Sequence, residues 1–214
     1  MNLDETLDLI EKNVIQMSNI VIHQHEQCIE ILQTHNKEIA LNIVKTDEFI
    51  NRFEEDINNQ AMASFALLNP IASDLRRVLV AIKIATELER IADYAKGLAS
   101  FIIKDRDPEE KEITHYAVKM EEKVIFMLKK AIKTYMDRNL ETAFEIPKFD
   151  DEIDAMLDAF KEELTKENTN LILSSKQVFY LSGLFRNIER SGDHIINICE
   201  HIIYLCKGIQ YDFG

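Results

Sequence analysis

Apolar residues recur at intervals of three and four along almost the whole chain, the spacing that lines one face of an α-helix. Leu3, Leu7, Ile10, Val14, Met17, Val21, Cys28 and Leu32 form a first long stripe. A reversal is expected near Thr34 to Lys37. Phe49, Phe53, Ile57, Met62 and Phe65 form a second stripe. It stops at Asn69-Pro70, because a residue before proline avoids helical angles. A third helix is predicted from about Ile71 to Ile103, with proline at its entry and Asp74 near its positive end. The stretch from Lys104 to Pro108 breaks it. A fourth helix is expected over about 109–137 and a fifth from near Pro147 to about Lys166. After a turn over Asn168 to Ser175, a sixth runs to about Lys207, with Gly208 as its C-terminal cap.

The six helices fall into two sets of three. Setting residue n against residue n + 100 aligns the third and sixth helices without a gap. Glu89, Arg90 and Asp93 fall on Glu189, Arg190 and Asp193. Ile84, Leu88, Leu98, Ile102 and Ile103 fall on Leu184, Ile188, Ile198, Ile202 and Ile203. Charged identities inside an apolar match indicate one three-helix unit, duplicated and fused. The expected fold is all-α, two tandem antiparallel three-helix bundles, with residues 1–107 as the first unit and 108–214 as the second.

Composition narrows the function classes. Hydrophobic residues make up 46% of the 214 and charged residues 29%, which favours a packed core over disorder. Only 5 glycines and 3 prolines are present, too little punctuation for a many-stranded sheet. A net charge of -13 argues against nucleic-acid binding and against attachment to an anionic membrane surface. No apolar run approaches the roughly 20 residues of a membrane-spanning helix. Cys28, Cys199 and Cys206 form no pairing pattern, and the acidic N-terminus lacks the charge pattern of a signal peptide. The expected compartment is the cytoplasm, with no membrane insertion.

The candidate chemistry lies in acidic stripes. With about 100° per residue and Glu189 as zero, Asp193 lies near 40°, Asn197 near 80° and Glu200 near 20°. Glu89 and Asp93 repeat the pair in the first unit. The middle helix of the second unit carries Asp150, Asp154 and Asp158, with Asp151 alongside; that of the first carries Asp47, Asn51, Glu54 and Asn58. Carboxylates about 4 Å apart repel by roughly 4 kcal/mol at an effective dielectric of 20. Such a face must lie in water, pair with Arg or Lys, share protons, or bind cations. Oxygen-rich sites suit Mg, Ca, Mn and iron. The solvated face and the metal site both remain open on the residue pattern alone.

Other candidates are weaker. His23 and His25, two apart, do not share a helix face. His194 and His201 are seven apart and flank the acidic stripe; they read first as paired surface histidines and, as the alternative, as groups that support the acidic ligands from behind. Asp74, Arg76 and Arg77 read as a helix start with ion pairs. There is no Gly-rich phosphate loop, and no Ser-His-Asp or Cys-His arrangement stands out. A bundle-type di-metal oxidase or hydrolase would need a Glu-x-x-His motif on each of two helices, and none is present.

The stretch NPIASDLRRVLVAIKIATELERIADYAKGLA resembles the signature of the PhoU family of phosphate-uptake regulators, and NIERSGDHIINICEHIIYLCKG resembles that family's C-terminal helix. The resemblance spans essentially all 214 residues. It implies a flat, elongated six-helix protein, often a homodimer. It also implies multinuclear iron or zinc clusters held by E(D)xxxD motifs on adjacent helices. Carried over, these are Glu89 with Asp93, Glu189 with Asp193, and Asp150 with Asp154. In the first unit Asp47 is followed by Asn51, which brings no charge, and Gly97 stands where the second unit has Asn197. The first site is therefore expected to be the weaker. The implied role is regulatory and non-enzymatic. When phosphate is plentiful, such proteins restrain the phosphate ABC transporter, with its ATPase as a partner, and help hold a phosphate-sensing histidine kinase in its inhibiting state.

Overall fold

Local sequence signals set most of the helix ends. Asn2 accepts a hydrogen bond from the Glu5 amide at 2.8 Å while Glu5 accepts from the Asn2 amide, a reciprocal cap that starts α1 (Leu3–Thr34). His35, at φ 55°, turns the chain out of α1, and Asn36 accepts from the Glu38 amide at 2.9 Å to open α2 (Lys37–Leu67). Asp74 accepts from the Ile71 amide at the head of α3 (Ala72–Ile103). Ser174 and Gln177 cap α7 (Ser175–Lys207), and Gly208, at φ 71°, closes it as expected.

The computed structural model describes residues 2–67, 71–104, 111–165 and 173–214, and among these there is no strand. The predicted breaks at Asn69-Pro70, at 105–108 and over 168–172 lie outside the described residues. The fourth helix is α4 (Lys111–Asp137). The expected fifth helix needs correction. A short α5 (Leu140–Glu145), capped by Asn139, leads into a 3-10 turn at Ile146–Phe149 that holds Pro147, and α6 spans Asp150–Thr165. Six residues are too few to show a helical period, so α5 left no mark in the pattern.

α1, α2 and α3 pack together, as do α4, α6 and α7. α3 also packs on α7 and α1 on α4, so these four helices form the middle of the molecule. α2 lies against α1 and α3, and α6 against α4 and α7. Buried alanines 81, 85, 92, 95 and 99 let three partners approach α3 closely. Each fully buried Ile or Leu of this core contributes about 1.5–3 kcal/mol of transfer free energy.

The two repeats meet along the crossing of α3 and α7, which run antiparallel. Repeat-equivalent residues touch at its centre, Tyr94 Oη lying 3.2 Å from His194 Nε2. On one side Glu87 contacts His194 Nδ1 at 2.5 Å and His201 Nε2 at 3.4 Å, and accepts from Asn197 at 3.1 Å. Burial alone would raise the Glu87 pKa, but these hydrogen bonds outweigh it and hold it at about 2. His194 and His201 are thus interior partners of Glu87, not surface histidines. On the other side Asn187, the counterpart of Glu87, packs on Gly97, where a Cβ would come within 2.5 Å of its amide nitrogen.

A second polar contact joins the units deeper in the core. His25 on α1 and Glu121 on α4 are both fully buried, with Nδ1 2.8 Å from Oε2. His25 Nε2 donates to the Ile91 carbonyl at 3.1 Å. A carbonyl only accepts, so Nε2 carries a proton, and the Nδ1–Oε2 contact then needs another. The pair holds one proton more than a neutral imidazole and a carboxylate would. Burial by itself lowers the His25 pKa, but the charge of Glu121 and the bonds to Glu121 and Ile91 overcome it, and the net shift is upward. A raised folded pKa gives stability that is full below the unfolded imidazole value, about 6.5, and is lost as pH rises through the higher folded value. Melting temperature should fall as pH rises upward from about 6.5, and fall less in a His25→Leu/Glu121→Leu double variant. Glu121→Ala alone should cost about 1–3 kcal/mol in urea unfolding, because the buried imidazole turns neutral and its Nδ1 is left without a partner.

Candidate functional site

The predicted acidic faces come together within each unit, but their surroundings differ. In the first unit Asp47, on α2, is only 3% exposed and faces α3. Lys96 on α3 donates to Asp47 Oδ2 at 2.5 Å and lies 3.8 Å from Asp93 Oδ1. Its pKa is raised, first by the hydrogen bond to Asp47 and then by the charges of Asp47, Asp93 and Glu89, with burial opposing. Arg90 reaches Glu89 at 3.4 Å and Asp93 at 3.6 Å. Burial, followed by the charge of Asp93, nevertheless raises the Glu89 pKa. Asn51 points to solvent, and Glu54 accepts from Thr86 at 2.8 Å.

In the second unit Asp150 opens α6 and is buried against α7. Gly192 makes this approach fit, since a Cβ there would collide with Asp150 Oδ1. That oxygen is buried and has no hydrogen-bond partner. Burial, then the charges of Asp154, Asp193, Asp151 and Glu189, push the Asp150 pKa up to about 7. Glu189 is raised by burial, then by Asp193 and Asp154. Asp193 is exposed, yet partial shielding from solvent, then Asp154, raises it too. Among the described residues no Lys or Arg forms an ion pair with Asp150, Asp154, Glu189 or Asp193, in contrast to the first unit.

Other parts of the predicted stripes separate. Asn197 is drawn to Glu87 at the α3–α7 crossing, and Glu200 accepts from the Phe213 amide of the C-terminal tail at 2.9 Å. Angular proximity on one helix does not survive when three neighbours cover different levels of it. Asp158 is exposed and pairs with Lys161. Asp154 is exposed as well, as a solvated stripe requires. Among the described residues no three His, Cys, Asp or Glu side chains form a group able to hold a metal ion as they stand.

Arg77 pairs with Asp8 and Glu11 of α1, as expected of a helix start with ion pairs, and Arg76 lies over the Tyr204 ring. Two partners escaped the sequence reading, Lys96 and Glu87. The mismatches at aligned positions, Lys96 against Ile196 and Glu87 against Asn187, were the available signal for them. No helix among the described residues is long and apolar enough to cross a membrane.

The PhoU domain model matches this chain twice, over residues 14–102 and 117–202. A phosphate-specific transport system accessory protein PhoU homolog of Clostridium acetobutylicum is 30% identical over 99% of this chain and 97% of its own length. The solved phosphate transport system regulatory protein PhoU of Streptococcus pneumoniae shares the fold, with a TM-score of 0.88 at 24% identity over 99% of this chain and 100% of that one. PhoU of Pseudomonas aeruginosa gives 0.87 at 24% identity, over 97% and 100%. With two matched domains, a relative similar end to end and the same two-bundle fold, the chain belongs to the PhoU family.

Proposed function

We propose that this chain is a cytoplasmic, non-enzymatic regulator of phosphate uptake and phosphate-starvation signalling. When phosphate is plentiful it restrains a phosphate ABC transporter through the transporter ATPase and helps hold a phosphate-sensing histidine kinase in its inhibiting state. The observation that carries the reading is the end-to-end similarity to a phosphate-transport accessory protein, with neither repeat missing. The role is one of binding, as a homodimer, and needs no catalytic step. Purified protein should co-elute with the transporter ATPase or with the kinase's cytoplasmic portion at high phosphate. Failure to bind either under any phosphate or metal condition would remove the reading.

The second half of the proposal concerns cations, with iron or zinc clusters as the groups the family resemblance implies. The second unit fits a cation in its donor chemistry. It offers oxygen ligands, an orphaned buried Asp150 Oδ1 and carboxylates with raised proton affinity. Asp150, Asp154, Glu189 and Asp193 would hold it, and the bound ion would add close positive charge to a face that Arg190 and Lys161 influence only from beyond ion-pair distance. Asp150 would anchor the buried side, while Asp154 and Asp193 would close from the solvent side. The exposure of Asp154 and Asp193 favours a second reading, a metal-free bundle with a solvated stripe that binds its partners through surface contacts alone.

Elemental analysis separates the two. Stoichiometric metal in protein purified without chelator, lost in Asp154→Ala/Asp193→Ala, is the expected result; no metal, with unchanged stability in the variant, selects the solvated stripe. Asp150 gives an independent check in metal-free protein. Its folded pKa of about 7 lies above its ordinary value of 3.8, so ionising it costs stability progressively as pH rises between the two. Asp150→Asn should therefore raise the melting temperature by a few degrees at pH ~8 and leave it unchanged near pH ~4.

A further inference from the structure

The two acidic faces are repeat-related, yet among the described residues only the first has a lysine or arginine in ion-pair contact with its carboxylates. Lys96 Nζ sits 2.5 Å from Asp47 Oδ2 and 3.8 Å from Asp93 Oδ1. Those are two of the three first-unit carboxylates that the family motif would assign to a metal. The third, Glu89, is held by Arg90 at 3.4 Å. The position equivalent to Lys96 in the second unit is Ile196, an aliphatic side chain with no charge to offer. Asp47 is buried, its Oδ1 has no hydrogen-bond partner, as Asp150 Oδ1 has none, and Lys96 is its one described ion-pair partner, so the ammonium cannot leave without stranding the whole carboxylate.

We infer that Lys96 is a built-in counter-ion that takes the place of a divalent cation in the first unit, so that cation binding by this chain is confined to the second. A lysine ammonium carries its charge on a tether, needs no supply from solution and is indifferent to metal concentration. A divalent ion entering beside Asp47 would face that ammonium at ion-pair distance. Like-charge repulsion and the lost hydrogen bond both oppose entry. The first unit thereby keeps its own counter-ion beside Asp47, while the second remains open to proton or metal. The inference rests on the cation reading of the second unit only for where binding is confined; the role of Lys96 stands on the first-unit geometry.

The test uses the full chain in four forms: wild type, Asp154→Ala/Asp193→Ala, and that double variant carrying either Lys96→Met or Lys96→Arg. Each is stripped with chelator and titrated with MnCl2, with melting temperature and bound-metal stoichiometry as readouts. The double variant should bind no manganese and show no shift. Adding Lys96→Met should lower the melting temperature in chelator. Manganese should then restore it, with one equivalent bound. Lys96→Arg keeps a cation in place and should stay insensitive to manganese, a distinction that a purely steric role for Lys96 would not produce. Absence of manganese rescue in the Lys96→Met form overturns the inference. So does manganese binding by the double variant with Lys96 intact that disappears on Asp47→Asn. A wild type that binds no manganese overturns the cation reading of the second unit instead, while the Lys96→Met comparison still decides the role of Lys96.

Discussion

A carboxylate withdrawn from water must find a positive charge, a hydrogen-bond donor or a proton, and the architecture of this protein follows from how that demand is met. Glu121 takes His25, and the pair joins α1 to α4 with no exposure on either side. Glu87 takes His194, His201 and Asn197, joining α3 to α7. Glu11 takes both Arg77 and Arg138, tying α1 to α3 and to the turn after α4. Asp47 takes Lys96 inside the first unit. Three of these four links cross between the repeats. Apolar burial supplies most of the stability, but it is non-directional. Helices of Ile, Leu and Ala could slide or rotate at small cost, whereas a buried acid has one acceptable partner position. The polar links therefore fix how the two bundles dock. Asp47 and Glu121 each keep one buried oxygen without a hydrogen-bond partner but have a cationic or imidazole partner on the other; Asp150, with an orphaned Oδ1, has no ion-pair partner among the described residues.

The helices and the duplication were legible because both are written in local spacing. A stripe at three and four residues is the same whether its partner is known or not. The caps were legible for the same reason: Gly208 sits in the left-handed conformation that glycine tolerates, and Asp74 lies where a helix start wants negative charge. The stretch from Asn139 to Phe149 was not legible, because a single turn of helix and a 3-10 turn have no period to read. The acidic faces were legible as faces but not as sites. Helix angle put Asn197 and Glu200 beside Glu189, and tertiary partners drew them elsewhere: Asn197 to Glu87, Glu200 to the tail. Lys96 lies three residues from Asp93, ordinary spacing for a surface ion pair. Nothing in that spacing tells that it reaches across to a buried Asp47. Pairing between helices is information the sequence holds only through the fold.

Duplication starts from two identical units, and an interface between identical units is symmetric, so either half could take either role. The α3–α7 crossing shows how that degeneracy was broken. Tyr94 faces His194 at the centre, which two copies of one residue would have shared. To one side the pair Glu87 and Asn197 builds a charged cluster; to the other, the equivalent pair Asn187 and Gly97 leaves a tight contact with no charge. The acidic faces diverged in the same sense, since Lys96 places an ammonium on the buried carboxylate of one face and Ile196 offers none to the other. These changes reinforce one another. A crossing with a single correct orientation fixes which unit is which, and only then can the two acidic faces diverge without changing how the halves dock. A symmetric dimer of single units would carry two identical acidic faces; the fused chain carries one in contact with Lys96 and one whose equivalent position is Ile196.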